Sequence, residues 1–343
     1  LKLPAETFYL FGMGSRPKLL YQRGVLSWLF GREVLQSWEV RTEKLWPAEY
    51  RVELDLAGGG KVTIWEDSRG IWLRENDRLE KLGSGPLNLP RFENYSHPEL
   101  LRRLLQEILI NIVEGEPLPN LLVYSRPWYR DAAMIAICLE KTGNLALITP
   151  WISGLREPYD RNNSGNCEPD NLGQVLYLIS LTSKLDHPLF PWVREELARI
   201  TVNGHLTGLT DYNQHPVYQT LWARFGLRSL GLDDSGLVIP QIEDSYASLF
   251  WLDRPPTPPA GPGFDPSLID LYPYLGWAEA HFYLSEPPPL PEEPDSYPLT
   301  WEAQASEADY SKMGAISPKF VARRIAAPHN WHAAEAFLYL LEK

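Results

Sequence analysis

The hydrophobic pattern changes its period once, near residue 90, and no other feature limits the possible folds as much. Before that point apolar residues alternate with polar ones. Val52, Leu54 and Leu56 lead into the Gly58-Gly59-Gly60 break, Val62 and Ile64 resume, and Ile71-Trp72-Leu73 follows a second break from Asp67 to Gly70. Alternation of period two between turn signals predicts a meander of short antiparallel strands. Phe8-Tyr9-Leu10 and Val34 to Val40 are candidates to extend it. Beyond that point Ser96-His97-Pro98-Glu99 reads as a capping box with proline at the first helical position, and Leu101, Leu104, Leu105, Ile108 and Ile112 recur at helical spacing. The expected organisation is a small β region over residues 1–90 and a helical domain over 91–343, with the boundary between Gly83 and Pro90. So small a sheet needs one face covered, and the helices that follow are the natural cover.

Further helices are predicted from near Trp128 to Gly143, over Leu145–Leu155, and from Glu168-Pro169-Asp170 along the stripe Leu172, Val175, Leu176 and Ile179. Others are expected over Val193–Val202, Val217–Leu230, Ser245–Trp251, Ser267–Phe282 and His332–Leu341. Helices separated by polar loops of medium length suggest antiparallel hairpins. Two Pro-rich stretches, one from Arg254 and one from Glu286, are too short for domain linkers; they are stiff enough to wall a pocket, or they are plain spacers.

Composition narrows the function. The chain carries a net charge of −12, which argues against a nucleic-acid partner, since phosphate binding needs clustered Lys and Arg. No run approaches the ~20 apolar residues of a membrane span. Two cysteines, Cys138 and Cys167, exclude a disulfide framework and a four-thiolate zinc site. No nucleotide-binding glycine loop, P-loop or nucleophile elbow is present, and no cofactor or metal is called for. Few cysteines and the absence of a signal-peptide pattern point to the cytoplasm, with a cleaved leader compatible with a displayed start at Leu1. The sequence specifies no oligomeric state. The 13 Trp and 17 Tyr supply flat faces that stack on sugar rings, although such residues also fill cores.

Four segments crowd polar and aromatic residues at predicted helix starts. Arg126 to Asp131 sets Trp128, Arg130 and Asp131 together, offering a ring, a donor fork and an acceptor; a capping Asp with an ion-paired Arg is the plainer alternative. Arg156 to Gln174 packs Glu157, Asp160, Glu168 and Asp170 beside Asn162, Asn163 and Asn166. Like charges in one loop raise each other's pKa, as general acid–base work requires, although Asn-Gly-rich loops also make ordinary turns. Thr210 to Thr220 carries Asp211, Tyr212 and His215, and Pro298 to Gln304 carries Trp301 and Glu302.

A small N-terminal β region followed by helices, with Trp-x-Arg-Asp opening the second, resembles the six-hairpin glycosidase superfamily of glucoamylase-like and trehalase-like enzymes. The resemblance implies a mainly α fold, an (α/α)6-type toroid of helical hairpins whose one end holds a carbohydrate substrate. It implies that Arg130 and Asp131 grip the terminal sugar and that Glu168, Asp170 and Gln174 line the pocket. Asp211 falls where the general acid lies, with Glu168 as substitute, and Glu302 falls where the base lies. The segment Pro328-His329-Asn330-Trp331 is similar to the way such rings end. Between Leu230 and Ser267 there is room for one hairpin rather than two or three, so the expected ring is incomplete or Pro-rich stretches replace helices.

The leading expectation is an inverting glycoside hydrolase. In it Asp211 or Glu168 is the acid and Glu302 the base, Trp128 and Trp301 stack on the sugar, and Arg130, Asp131 and Asp170 hold its hydroxyls. The alternatives are a sugar epimerase or polysaccharide lyase using His215 and Tyr212, or a carbohydrate-binding protein without catalysis.

Overall fold

The computed structural model describes residues 3–259, 263–287, 297–305 and 307–343. Part of each Pro-rich stretch, residues 260–262 and 288–296, lies outside them. The fold class is mainly α with an N-terminal antiparallel β region, as the change of period predicts.

Nine strands form two antiparallel sheets in the N-terminal region. The first has β1 (Tyr9–Phe11), β2 (Leu19–Gln22), β3 (Val25–Trp28) and β4 (Val34–Ser37) in chain order. The second is the meander β5 (Val40–Trp46), β6 (Arg51–Leu56), β7 (Lys61–Asp67), β8 (Gly70–Glu75) and β9 (Arg78–Ser84). Ten α-helices occur among the described residues. They are α1 (Pro98–Ile110), α2 (Tyr129–Lys141), α3 (Thr149–Ser153), α4 (Asp170–Ser180), α5 (Phe190–Ile200), α6 (Pro216–Ser229), α7 (Pro266–Leu271), α8 (Pro273–Tyr283), α9 (Pro318–Arg323) and α10 (Asn330–Leu341). The described residues fall into two compact units, and α2 passes from one to the other after Ile137.

The sheet-bearing unit contains residues 3–126, 138–147 and the described part of 297–343. The alternation read in the sequence sets the register: Val52 pairs with Ile64, Leu54 with Val62 and Ile64 with Leu73. Their side chains join Tyr9, Phe11, Leu19, Tyr21 and Leu26 of the first sheet in one buried cluster. Each sheet thereby covers a face of the other, which neither could leave in water. Helices α1 and α10 pack on each other, and Gln106 of α1 donates to the Leu10 carbonyl at 2.8 Å. The predicted capping box is not made. His97 is the N-cap without a side-chain bond, and Ser96 Oγ donates to the carbonyl of Lys343 instead.

The helical unit contains residues 127–137, 148–259 and 263–287. Helix α4 packs against α3, α5 and α6. Its approach to α6 is backbone to backbone: a Cβ on Gly173 would lie 2.2 Å from the Trp222 carbonyl carbon, and one on Gly226 would lie 2.5 Å from the Gly173 oxygen. Only glycine permits that approach. Three predicted helices are shorter than the pattern suggests. Leu145–Leu155 becomes a 3-10 turn followed by α3. Ser245–Trp251 shrinks to a 3-10 turn over Ala247–Leu249, because Asp244 takes the Tyr246 N–H into an Asx turn. Ser267–Phe282 splits into α7 and α8 at Pro273, which has no N–H for the helix ladder.

Candidate functional site

The site in the helical unit is organised by a single buried guanidinium. Helix α2 begins where Asp160 Oδ2 accepts the Tyr129 N–H at 2.7 Å, while its Oδ1 accepts the Asn162 N–H at 3.0 Å. Asp160 thus caps the first turn of α2. The capping places Arg130, 4% exposed, in the first helical turn. Its Nε lies 3.2 Å from Asp170 Oδ2, its Nη1 2.5 Å from Asp211 Oδ2 and its Nη2 3.4 Å from Glu168 Oε2.

Each carboxylate is held from a different direction. Asp170 opens α4 fully buried, accepting from Thr210 Oγ1 at 2.7 Å and from Gln174 Nε2 at 2.8 Å. Asp211 sits at the tip of a hairpin, Leu209–Thr210 paired with Asn213–Gln214. Both tip residues have positive φ, 47° at Asp211 and 65° at Tyr212, the geometry of a two-residue type I′ turn. That turn aims the Asp211 N–H at Glu168 Oε1, 2.6 Å away. Asn163 Nδ2 donates to both acids, at 3.1 Å to Glu168 and 3.0 Å to Asp211. The nearest oxygens of the two carboxyls are therefore no further apart than those two bonds together.

Three acids around one cation leave an excess of negative charge. Glu168, 2% exposed, has its pKa pushed up to about 7 by burial, with the charges of Asp170 and Asp211 adding to the rise and Arg130 opposing it. Its Oε2 makes only the long contact with Arg130, which leaves that oxygen open to a proton. Burial also raises Asp160. The Asp211 side chain is 28% exposed and is the member of the set that meets solvent.

His215 belongs to the same site through residues the sequence reading passed over. Its Nδ1 lies 2.8 Å from Asp244 Oδ1, and its ring stacks on Tyr246 at 3.8 Å with the planes 9° apart. Tyr246 Oη donates to Asp211 Oδ2 at 3.0 Å. Burial and the neighbouring Asp211 hold that phenol well above its ordinary range, so it stays a donor. Asp244 also accepts the N–H groups of Tyr218 and Tyr246, tying the start of α6 to the following loop. The signal was present in Glu243-Asp244-Ser245-Tyr246, another acid beside an aromatic at a predicted helix start. Trp128, half-buried, and Asp131, buried, flank this site on and just before the first turn of α2.

Trp301 and Glu302 lie in the sheet-bearing unit. Glu302 pairs with Ala326 in a two-residue ladder, accepts the Tyr124 hydroxyl and has His329 Nε2 3.1 Å from its Oε2. Tyr124 and His329 are both buried, whereas the Glu302 side chain is 24% exposed. Trp301 is half-buried.

Among the described residues no group of three or more His, Cys, Asp or Glu could hold a metal ion, and no helix is long and apolar enough to cross a membrane. Arg130 occupies the position among the three carboxylates that a cation would take. Comparison of the chain with protein-family models, curated proteins and solved structures gives no match.

Proposed function

We propose that the protein is a glycoside hydrolase, with Glu168 as the proton donor. The observation that carries this reading is a buried carboxyl raised to about 7, set beside the partly exposed carboxylate of Asp211. Two acids whose surroundings differ in this way can divide donor and acceptor roles at neutral pH. Glu168 gives its proton from Oε2 to the glycosidic oxygen, and Asp211 faces the positive charge that develops at the anomeric carbon. Arg130 and Asn163 fix the angle between the two carboxyls, and Asp170 with Gln174 supports the guanidinium from behind. Half-buried Trp128 offers a ring for the sugar to stack on.

Hydrogen bonds from one Asn163 nitrogen to both acids favour the close spacing of retaining enzymes, about 5–5.5 Å, over the wider spacing that admits a water. Asp211 is then the nucleophile, and Glu168 returns as base to activate the water that releases the sugar. Screening the purified protein against diverse oligosaccharides, with product anomers followed by NMR, tests this reading. Retention supports Asp211 as nucleophile, inversion removes that role, and cleavage of nothing in the screen removes the hydrolase reading. On a cleaved substrate, Glu168→Gln should lower turnover by roughly 10²–10⁴-fold.

A further inference from the structure

In the sheet-bearing unit a cavity of about 560 Å3 opens between strands β2 and β3 and the segment Ala315–Lys319. Alternation along the strands decides what lines it. Leu19, Tyr21 and Leu26 point into the buried cluster. Leu20 and Gln22, paired across the ladder with Ser27 and Val25, face the cavity. Gln22 Nε2 donates to the Ile316 carbonyl at 3.0 Å and ties the wall to the floor.

The charge of this cavity runs against that of the chain. Arg23, Arg32 and Lys319 line it, with Glu6 as the single acidic residue. The lining therefore carries three positive charges against one negative, in a protein of net charge −12. Glu6 is already engaged: Arg23 Nη2 lies 3.0 Å from its Oε2, and Lys319 Nζ lies 2.8 Å from its Oε1, which also accepts Ser317 Oγ at 3.2 Å. Arg32, exposed in the turn between β3 and β4, has no hydrogen-bond or ion-pair partner among the described residues. The same holds for Ser27 Oγ, on a half-buried residue that lines the cavity. An unpaired guanidinium and a hydroxyl thus border one space of small-molecule size.

We propose that this cavity binds an acidic sugar unit, one that carries a carboxylate or phosphoryl group. The planar fork of Arg32 takes the oxyanion with two parallel hydrogen bonds, which a hydroxyl of a neutral sugar cannot match. Ser27 Oγ takes a ring hydroxyl, and the Leu20 and Val25 side chains lie against the apolar edge of the ring. The surplus positive charge draws the anion in from a molecule that otherwise repels it. The inference stands apart from the hydrolase reading, since it uses none of the residues in the helical unit.

The test is calorimetric titration of the intact protein with glucuronate, glucose 6-phosphate, inorganic phosphate and glucose. One or both acidic sugars should bind about tenfold or more tighter than glucose and than phosphate, and Arg32→Ala should weaken that binding about tenfold or more. Ser27→Ala should weaken it several-fold, by the smaller amount of a neutral hydrogen bond. Equal binding of glucose would show that the charge is not read, and equal binding of phosphate that the sugar is not read; either overturns the proposal. So does the absence of heat with all four, or unchanged affinity in Arg32→Ala. Should Arg32→Ala fail to fold, Arg32→Lys keeps the charge and removes the fork; undiminished affinity for the acidic sugar in that variant overturns the proposal equally.

Discussion

Replacing Glu168 with Gln tests the electrostatic argument without any substrate. In the folded protein the Glu168 carboxyl titrates near 7, against an ordinary value of 4.5. At about 1.4 kcal/mol for each tenfold change, that displacement amounts to about 3 kcal/mol. The sign follows from proton counting. Between pH 4.5 and 7 the folded state holds a proton on Glu168 that the unfolded chain has released, so stability falls as pH rises through this window. Below it both states are protonated and no penalty exists. Above it Glu168 is ionised in a buried site beside Asp170 and Asp211, and the full penalty is present. A neutral amide removes the dependence. Urea unfolding of parent and Glu168→Gln across pH 4 to 8.5 should therefore give a difference that is constant in acid and shifts by about 3 kcal/mol in favour of the variant by pH 8. Glu107 titrates in the same window, but it is common to both proteins and cancels. A difference that stays flat from pH 4 to 8.5 would refute the reasoning, because Glu168 would then titrate like an exposed acid.

Gly173→Ala should cost about 3 kcal/mol or more in thermal or chemical unfolding, since its Cβ meets the Trp222 carbonyl carbon at 2.2 Å and α4 and α6 must separate. Glu107→Ala should cost about 2–4 kcal/mol by the same measurement, because the N–H and hydroxyl of Thr300 and the N–H of Leu299 lose their buried acceptor. Tyr246→Phe removes one donor to Asp211 while keeping the ring on His215. On a cleaved substrate it should lower turnover by about tenfold with little change in KM; a change in KM alone would give Tyr246 a purely binding role.

How much was legible depends on the range over which each signal acts. The strands Val52–Leu56, Lys61–Asp67 and Gly70–Glu75 follow from alternation and glycine breaks, and α1, α2, α4, α6 and α10 from apolar spacing, because both are local consequences of backbone geometry. Where neighbours compete for the backbone, the local reading fails. Ser96 lost its capping role to the carbonyl of Lys343, and Asp244 drew the Tyr246 N–H out of a helix that the pattern alone would have formed. The segment Val34 to Val40, one candidate strand in the sequence, divides into β4 and β5 of two different sheets, a choice made by which partners lie alongside.

The chemistry of the site divides in the same way. Residue type and position along the chain were enough to single out Arg130, Glu168, Asp170, Asp211 and His215, since charged groups gathered at helix starts stand out against an apolar background. That one guanidinium bridges three of those acids, and that Asn163 joins two of them, required chain segments some 40 to 80 residues apart to meet. Proton affinity belongs to that meeting as well. Glu168 and Asp170 are two residues apart in sequence, yet what raises the first is mainly its burial, with Asp170 and, from another loop, Asp211 adding to it, and burial is a property that only the folded chain possesses.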